Sequence, residues 1–374
     1  MREKEESARY FAIAPEDRPV TVYAEDDYSW NQLAGYVERL TADHGRSVAY
    51  VTSAAEDPLR TNPPTGVSVF HLAELVPEFL PKVDSAVLVT TMPDLDTLHV
   101  RRPAIATCVY LFHSLNSTLM AYRPGAFDAY DVLGTTGPYQ QRELAARYAA
   151  IGKTGYRLAE VGYYKLDRIA EGFRSYQSVH PSETTVLVAP SWGEHNLLAA
   201  CGAELVESLA AHGFRTVVRP HPAFFESIYP EGARIVSTLR DRFAAYDNVI
   251  FETSITSENS FYEAALMVSD WSGAAFEYAF GTERPVLFVD VPPKAFNSEW
   301  SSFGLVPFED RMRNEVGRIL SPVDVSTAGA AASDLLDGAA GFAAQIRAAR
   351  DREIFNFGSA AAAGAAVIDS LLDP

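Results

Sequence analysis

Short runs rich in β-branched residues alternate with helical segments along most of this chain, and this alternation limits the folds that it can adopt. Turn sequences typical of hairpins are few between the runs. Strands that are joined by helices form parallel sheets whose faces are covered by those helices. We therefore predict an α/β protein built from doubly wound, Rossmann-like parallel sheets. The predicted strands are 20–23, 48–51, 67–70, 85–90, 104–111, 130–133, 184–189, 216–218, 249–251, 265–268 and 286–289.

The chain has 374 residues, which is more than one compact core usually holds. The polar stretch 171–182 is predicted to connect two domains, because the strand pattern restarts directly after it. We predict a Rossmann-like domain over 1–170 and a second over 183–374, with a crossing of the last helix back to the first domain left open. Residues 1–18 are expected to be a loose lead-in. Helices are predicted over 342–352 and 359–372 in the alanine-rich C-terminal part.

The composition excludes several classes of function. A net charge of −18 argues against sequence-independent binding of nucleic acid, which needs a basic surface. The charged N-terminus has no apolar signal core, and no apolar run approaches the ~18 residues of a spanning helix. A cytoplasmic protein is expected, with weak peripheral association at the inner face of a membrane left open. Cys108 and Cys201 lack metal-ligand spacing and are expected to be free thiols.

The first candidate site lies at 217–222, where a β-branched run ends in Arg219, Pro220, His221 and Pro222. The two prolines exclude helix and place His221 on a loop after the strand. A histidine held there could face a phosphate or satisfy backbone groups at a turn. Arg219 could clamp a phosphate with two hydrogen bonds or pair with a surface carboxylate.

The second candidate site follows the strand at 265–268. Ser269, Asp270 and Ser272 precede a helix, and such residues cap helix N-termini, where free N–H groups favour a phosphate. Gly273 begins this helix, and Glu277 lies within it, where an acid either contacts a ribose or only complements the helix dipole. Two strand ends of one parallel sheet, one carrying Arg and His, predict a nucleotide-phosphate site. The alternative is an ordinary helix cap.

An ordered set of motifs runs through the chain: H-S at 113–114, Y-D-V-L-G-T-T-G at 130–137, V-G-Y-Y-K-L-D at 161–167, A-P-S-W at 189–192, R-P-H-P at 219–222, V-S-D-W-S-G-A-A-F-E-Y at 268–278 and R-P-V-L-F-V-D at 284–290. This set resembles the CDP-glycerol glycerophosphotransferase family, the teichoic-acid and capsule-type polyol-phosphate transferases of GT-B fold. The resemblance covers roughly residues 105–372 and is most specific in the C-terminal half. It implies two Rossmann-like domains facing a cleft, with the CDP moiety held mainly by the C-terminal one and the acceptor by the N-terminal one.

Carried over to this sequence, the resemblance assigns two histidines. His113 matches the family's proposed base on the acceptor hydroxyl, although Ser114 stands where the family has glycine. His221 matches the histidine near the donor phosphates. Ser191 is expected beside the phosphates, with Trp192 either a wall of the cleft or a packed core residue. A histidine suits the base because its pKa lies near neutrality; the alternative for His113 is one structural hydrogen bond.

The predicted reaction moves a polyol phosphate, in the first place glycerol phosphate, from a CDP donor to a saccharide or polyol-phosphate acceptor in cell-surface glycopolymer synthesis. No cofactor is expected, and a divalent ion has no support in the sequence. Walker-type loops, zinc-ligand spacing and the G-x-S-x-G elbow do not occur. The alternatives are a GT-B glycosyltransferase that uses a nucleotide sugar, a non-catalytic nucleotide-binding subunit, and a relative of the nucleotide-sugar 2-epimerases.

Overall fold

The computed structural model describes residues 2–26, 28–97, 99–177, 184–253 and 258–372. The strands and helices of these ranges are numbered in chain order. Within them, no helix is both long and apolar enough to cross a membrane. The strands are β1 Val20–Ala24, β2 Val48–Thr52, β3 Val67–His71, β4 Val87–Thr90, β5 Thr107–Leu111, β6 Val132–Thr135, β7 Arg157–Glu160, β8 Thr185–Val188, β9 Arg215–Val218, β10 Val249–Phe251, β11 Ala264–Ser269, β12 Val286–Val289 and β13 Gly317–Leu320. The helices are α1 Arg2–Phe11, α2 Ser29–Ala42, α3 Val76–Phe79, α4 Pro138–Ile151, α5 Tyr164–Gln177, α6 Leu197–Ala211, α7 Gly232–Arg242, α8 Asn259–Glu263, α9 Gly273–Thr282, α10 Phe308–Arg313, α11 Ala328–Asp337, α12 Ala339–Glu353 and α13 Ala360–Asp369.

The chain divides into two compact units that are not continuous in sequence. Unit 1 comprises Met1–His113, Tyr122–Asp167 and Ile354–Pro374, and unit 2 comprises Ser114–Ala121 and Arg168–Glu353. The short segment directly after His113 therefore belongs to the second unit, and the last helix, α13, belongs to the first. The boundary at residue 168 falls inside α5.

Unit 1 is a doubly wound sheet of parallel strands in the order β3-β2-β1-β4-β5-β6-β7. The order reverses between β1 and β4, which pair in parallel. Alternate residues of one strand point to opposite faces, and β2 shows this directly. Val48 and Tyr50 join one hydrophobic cluster, while Ala49 and Val51 join another. Both faces of the sheet are therefore buried, as continuous β-branched runs predict.

Unit 2 repeats this architecture with strands in the order β10-β9-β8-β11-β12-β13, all parallel. Here the order reverses between β8 and β11. The sequence prediction of an α/β protein with two doubly wound sheets is confirmed. The strand β13 has no counterpart in the prediction, because its central residues Arg318 and Ile319 are exposed or half-buried at the sheet edge and the run lacks a buried-strand pattern.

The prediction of a loose lead-in over residues 1–18 was wrong. Residues 2–11 form α1, and its Tyr10 is fully buried, where the hydroxyl hydrogen-bonds Thr21 at 2.7 Å and Ser85 at 3.0 Å. Arg18 is 2 % exposed, and its guanidinium lies 4.0 Å from the Tyr10 ring centroid. A polar segment is ordered here because a buried tyrosine and a buried arginine satisfy one another, which local sequence does not reveal.

The stretch 171–182, predicted to connect two domains, begins within a helix. Residues 171–177 continue α5 as regular helix. The remainder of that stretch, 178–182, lies outside the described residues. The free thiols agree with the sequence prediction, since Cys108 is buried and Cys201 is half-buried, and neither forms a disulfide.

The end of α12 is tied to α10 by a buried ion pair. Arg311 donates two hydrogen bonds of 3.0 Å to Glu353, whose side chain is 4 % exposed. Burial alone would raise the pKa of Glu353, but the hydrogen bonds from Arg311 and Arg352 outweigh it and hold the pKa below its ordinary value. A carboxyl with a depressed pKa stabilises the fold at neutral pH, and this contribution is lost as the pH falls through the folded-state pKa.

The Glu353→Gln variant should therefore lower the free energy of unfolding by about 1–3 kcal/mol at pH 7, because a half-exposed Arg311 is left without its charged partner. The difference from wild type should shrink as the pH falls through the folded-state pKa of Glu353, which lies below the ordinary value of a glutamate. Urea unfolding at several pH values measures both effects. Glu207→Gln is the matched control, since Glu207 pairs with Arg242 at 50 % exposure and its loss should cost less than about 0.5 kcal/mol. Equal urea midpoints for Glu353→Gln and Glu207→Gln would contradict the stabilising role of Glu353.

Candidate donor site of the second unit

Three of the predicted loops leave neighbouring strands of unit 2 at their carboxyl ends. β8 pairs with β9 on one side and with β11 on the other. The loop with Ser191 follows β8, the loop with His221 follows β9, and the loop with Asp270 follows β11. Ligands of open parallel sheets bind at the carboxyl ends of the strands where the strand order reverses. The predicted loops meet at such a point.

Asp270 fixes two of these loops to each other. Its carboxylate is fully buried, with Oδ1 accepting a hydrogen bond from the Ser191 backbone N–H at 2.7 Å and Oδ2 accepting one from the Leu197 N–H at 3.0 Å. Burial raises the pKa of Asp270, and the two backbone hydrogen bonds oppose this rise. Both oxygens are thus committed to holding the loop between β8 and α6.

The two serines beside Asp270 make structural hydrogen bonds at the end of β11 and the start of α9. Ser269 is fully buried and donates a hydrogen bond of 2.6 Å to the carbonyl oxygen of Ala189. Ser272 caps α9, with its hydroxyl oxygen accepting a hydrogen bond of 3.3 Å from the Ala274 N–H. Glu277 is 4 % exposed within this helix. The helix cap predicted from the sequence is present, and the two serines fill structural positions.

The segment Ser114–Ala121 lies against the start of α9. A Cβ atom added to Gly273 would stand 2.5 Å from Asn116 Oδ1 and 2.7 Å from Ser114 Oγ, so a larger residue here would displace these two side chains. Glu309 of α10 accepts a hydrogen bond of 2.9 Å from the Ser117 N–H. Asn116 Oδ1 is buried and has no hydrogen-bond partner among the described residues. Part of the helix terminus that the sequence assigns to phosphate is therefore covered by the chain itself.

His221 has a defined proton arrangement. It precedes a short 3₁₀ helix, Pro222–Phe225, and its Nδ1 accepts a hydrogen bond of 3.1 Å from the Ala223 backbone N–H. A neutral imidazole that accepts at Nδ1 carries its proton at Nε2. His221 is therefore built to donate from Nε2, and the residue itself is exposed. This is the arrangement that an anionic ligand requires of a neutral histidine.

Arg219 is positioned by side chains of α8. It is 8 % exposed, donates a hydrogen bond of 2.6 Å to Ser260 Oγ and lies with its guanidinium 5.5 Å from the Phe261 ring centroid. A buried guanidinium next to the His221 loop contributes positive charge to the end of β9.

The sequence analysis missed Lys294, which follows β12. Its Nζ atom lies 3.6 Å from the ring centroid of Trp192 and 5.1 Å from that of Phe296. The Trp192 ring centroid is 6.1 Å from that of His221. Burial lowers the pKa of Lys294 to about 7, although the Asp270 carboxylate favours the charged form. The sequence feature that could have indicated this residue is a lysine directly after two prolines, close to the end of a predicted strand.

His113 belongs to unit 1, where it follows β5. Its Nδ1 is 3.1 Å from the Tyr110 hydroxyl, and its carbonyl oxygen accepts a hydrogen bond of 2.6 Å from the Tyr163 hydroxyl. Burial raises the pKa of Tyr110 well above its ordinary value, so this phenol stays neutral and can donate or accept. Tyr163 comes from the predicted motif at 161–167, which therefore positions the backbone of His113. In the described ranges, no group of three His, Cys, Asp or Glu side chains could hold a metal ion.

No family model and no curated protein sequence matches this chain. Solved structures are similar over nearly its whole length. The wall teichoic acid polymerase TagF is 15 % identical, with 99 % of this chain and 93 % of that chain covered and a TM-score of 0.60. Sucrose-phosphate synthase from Thermosynechococcus elongatus is 15 % identical (95 % and 99 % covered, TM-score 0.54). The UDP-GlcNAc 2-epimerase from Methanocaldococcus jannaschii is 11 % identical (94 % and 99 % covered, TM-score 0.54). These likenesses show the fold, which is GT-B-like with two doubly wound Rossmann-like domains.

The Asp270→Asn variant tests whether this carboxylate is structural. An amide would place its NH₂ group against one of two backbone N–H donors, so we expect the free energy of unfolding to fall by about 2–4 kcal/mol. Chemical denaturation measures this loss. Asp334→Asn is the control, because Asp334 pairs with Arg318 at the surface and its side chain is 65 % exposed. A change within about 0.5 kcal/mol for both variants would contradict the structural role of Asp270.

Proposed function

We propose that this protein transfers a polyol phosphate, in the first place glycerol phosphate, from a CDP-activated donor to a hydroxyl of a saccharide or polyol-phosphate acceptor in cell-surface glycopolymer synthesis. The observation that carries the proposal is the meeting of the Ser191, His221 and Asp270 loops where the strand order of unit 2 reverses. The motifs that resemble the glycerophosphotransferase family thus occupy the edge at which a parallel sheet binds nucleotides. The likeness in fold to a teichoic acid polymerase is consistent with the same proposal.

In this proposal unit 2 holds the donor. His221 donates from Nε2 to a phosphate oxygen, since its Nδ1 is occupied by the Ala223 N–H. Arg219 adds positive charge, and Ser191 with the backbone of Ser272 and Gly273 faces the diphosphate. Glu277 accepts a hydrogen bond from the ribose. Fixed donors stabilise the charge on the leaving nucleotide without having to reorganise during the reaction.

The proposed reaction is one substitution at phosphorus. The acceptor oxygen attacks the phosphorus that carries the polyol, and the bond from this phosphorus to the bridging oxygen breaks. CMP leaves with the electron pair of that bond. His113 takes the proton of the acceptor hydroxyl, which requires the tautomer that donates from Nδ1 to Tyr110 and keeps the lone pair at Nε2.

The second candidate is transfer of a sugar from a nucleotide sugar. The likeness in fold to sucrose-phosphate synthase favours it. Attack would then fall on the anomeric carbon, and a nucleoside diphosphate rather than a monophosphate would leave. A non-catalytic nucleotide-binding subunit would bind the same ligands without turnover. A 2-epimerase relative would convert its donor without an acceptor.

Thermal unfolding with CDP-glycerol, CDP, CMP, UDP, UDP-sugars and GDP separates these candidates. We expect cytidine nucleotides to raise the melting temperature, since a ligand at about 100 times its Kd adds about 2.7 kcal/mol of stability. The His221→Ala variant should lose most of this shift, because it lacks the Nε2 donor. His99→Ala is the control, because His99 is exposed in unit 1.

Stabilisation by uridine or guanosine diphosphates alone would overturn the polyol-phosphate proposal in favour of sugar transfer. A shift from CDP-glycerol that is equal in wild type, His221→Ala and His99→Ala would overturn the role of His221 while leaving the choice of donor intact.

A further inference from the structure

Lys294 adds a positive charge to the carboxyl edge of the unit 2 sheet, and it lies outside the motifs found in the sequence. It lies in the segment after β12, the strand next to β11. The Lys294 ammonium rests on the face of Trp192, which follows β8. The ring of Trp192 in turn neighbours that of His221, which follows β9. Side chains from three strand ends are therefore gathered into one cluster, defined here as the Lys294 cluster: Lys294, Trp192, Phe296 and His221.

The ammonium of Lys294 has aromatic neighbours but no ionic partner. It forms no hydrogen bond or ion pair with any residue that the structure describes. A cation over an indole gains only about 0.5–2 kcal/mol. That contact does not replace the counter-charge that a half-buried ammonium needs.

The charged and titratable groups around Lys294 come from three elements. Asp270 at the end of β11 is the carboxylate that attracts it, but both Asp270 oxygens already accept backbone hydrogen bonds. His221, on the loop after β9, has its ring centroid 6.1 Å from that of Trp192. The neighbour within its own segment, Phe296, is held by a hydrogen bond of 3.0 Å from its N–H to the Met120 carbonyl oxygen and carries no charge. Lys294 is therefore available to form an ion pair with a bound anion.

We propose that Lys294 binds the diphosphate of a nucleoside diphosphate donor, with Trp192 and Phe296 holding its side chain and His221 donating to the same group. This inference rests on the proposed function, because it names a further ligand of the same donor site. A diphosphate supplies the strong negative charge that the cluster lacks. The lysine contributes through charge and not through a fixed fork of hydrogen bonds.

Binding of such a ligand must be coupled to a proton. In the free protein the ammonium is only partly populated at neutral pH, because burial holds the pKa of Lys294 near 7. A bound diphosphate favours the charged form, so binding takes up a proton above this pKa. The affinity should therefore be highest below about pH 7 and should fall by up to tenfold for each pH unit above it.

The test is calorimetric titration of CDP and UDP between pH 7.5 and 9.5, where the phosphates are already fully ionised. Two buffers of different ionisation enthalpy report the proton uptake. Wild type should lose affinity steeply across this range. The Lys294→Gln variant should bind the nucleotides about tenfold or more weakly at pH 7.5, with little dependence on pH. The Lys294→Arg variant should still bind them, but its affinity should not change with pH, because arginine remains charged.

Two controls separate binding from packing. The His221→Asn variant should bind more weakly but keep the slope between pH 7.5 and 9.5, since the ordinary range of histidine lies lower. Cytidine, which has no phosphate, should show no slope with any variant. The melting temperatures of the free Lys294 variants report whether the aromatic packing survives, and a merely structural lysine would change these without changing the pH slope.

An unchanged CDP slope in Lys294→Gln and Lys294→Arg overturns the inference but leaves the donor proposal standing. If the UDP affinity shows a pH dependence that requires Lys294 and CDP does not bind, the inference is supported and the CDP donor is overturned. Absence of binding of either nucleotide to wild type at pH 7.5 overturns both.

Discussion

The arrangement of the second unit depends on one carboxylate at the point where its sheet reverses direction. Asp270 comes from the end of β11 and accepts hydrogen bonds from Ser191 and Leu197, which belong to the connection between β8 and α6. Two strands that are far apart in sequence are thereby locked at their carboxyl ends. Since Trp192 follows Ser191 directly, the same hydrogen bonds fix the surface on which Lys294 rests. The neighbouring loop after β9 presents His221 to that surface.

The two predicted histidines differ in their hydrogen-bond partners. His221 accepts a backbone hydrogen bond at Nδ1 and is therefore a donor at Nε2. His113 contacts a phenol that can either donate or accept, so its tautomer remains adjustable. A ligand for anionic oxygen needs the first arrangement, and a general base needs the second. The proposed roles of His221 at the donor and His113 at the acceptor hydroxyl come from the family resemblance, and this difference is consistent with them.

Local sequence was sufficient for the buried strands and for the loops that follow them, but not for the partly exposed β7 and β13. Runs such as 20–23 and 286–289 are buried on both faces, so their composition alone predicts parallel sheet. Long-range contacts account for what was missed. Tyr10 and Arg18 order the N-terminal segment through partners that include Ser85. The close approach of Ser114 and Asn116 to Gly273 joins segments that are far apart in sequence. The contact between Lys294 and Trp192 could not be predicted, because it forms only when β8 and β12 flank β11 in one sheet.

The central claim is that the carboxyl edge of β8, β9 and β11 holds a nucleoside diphosphate. A crystal structure of the protein with CDP bound tests it most directly. The account predicts the diphosphate over this edge, with a phosphate oxygen about 2.7–3.2 Å from His221 Nε2, the usual range of a hydrogen bond. CDP ordered elsewhere on the protein, with His221 and its neighbours free of phosphate, would contradict the claim.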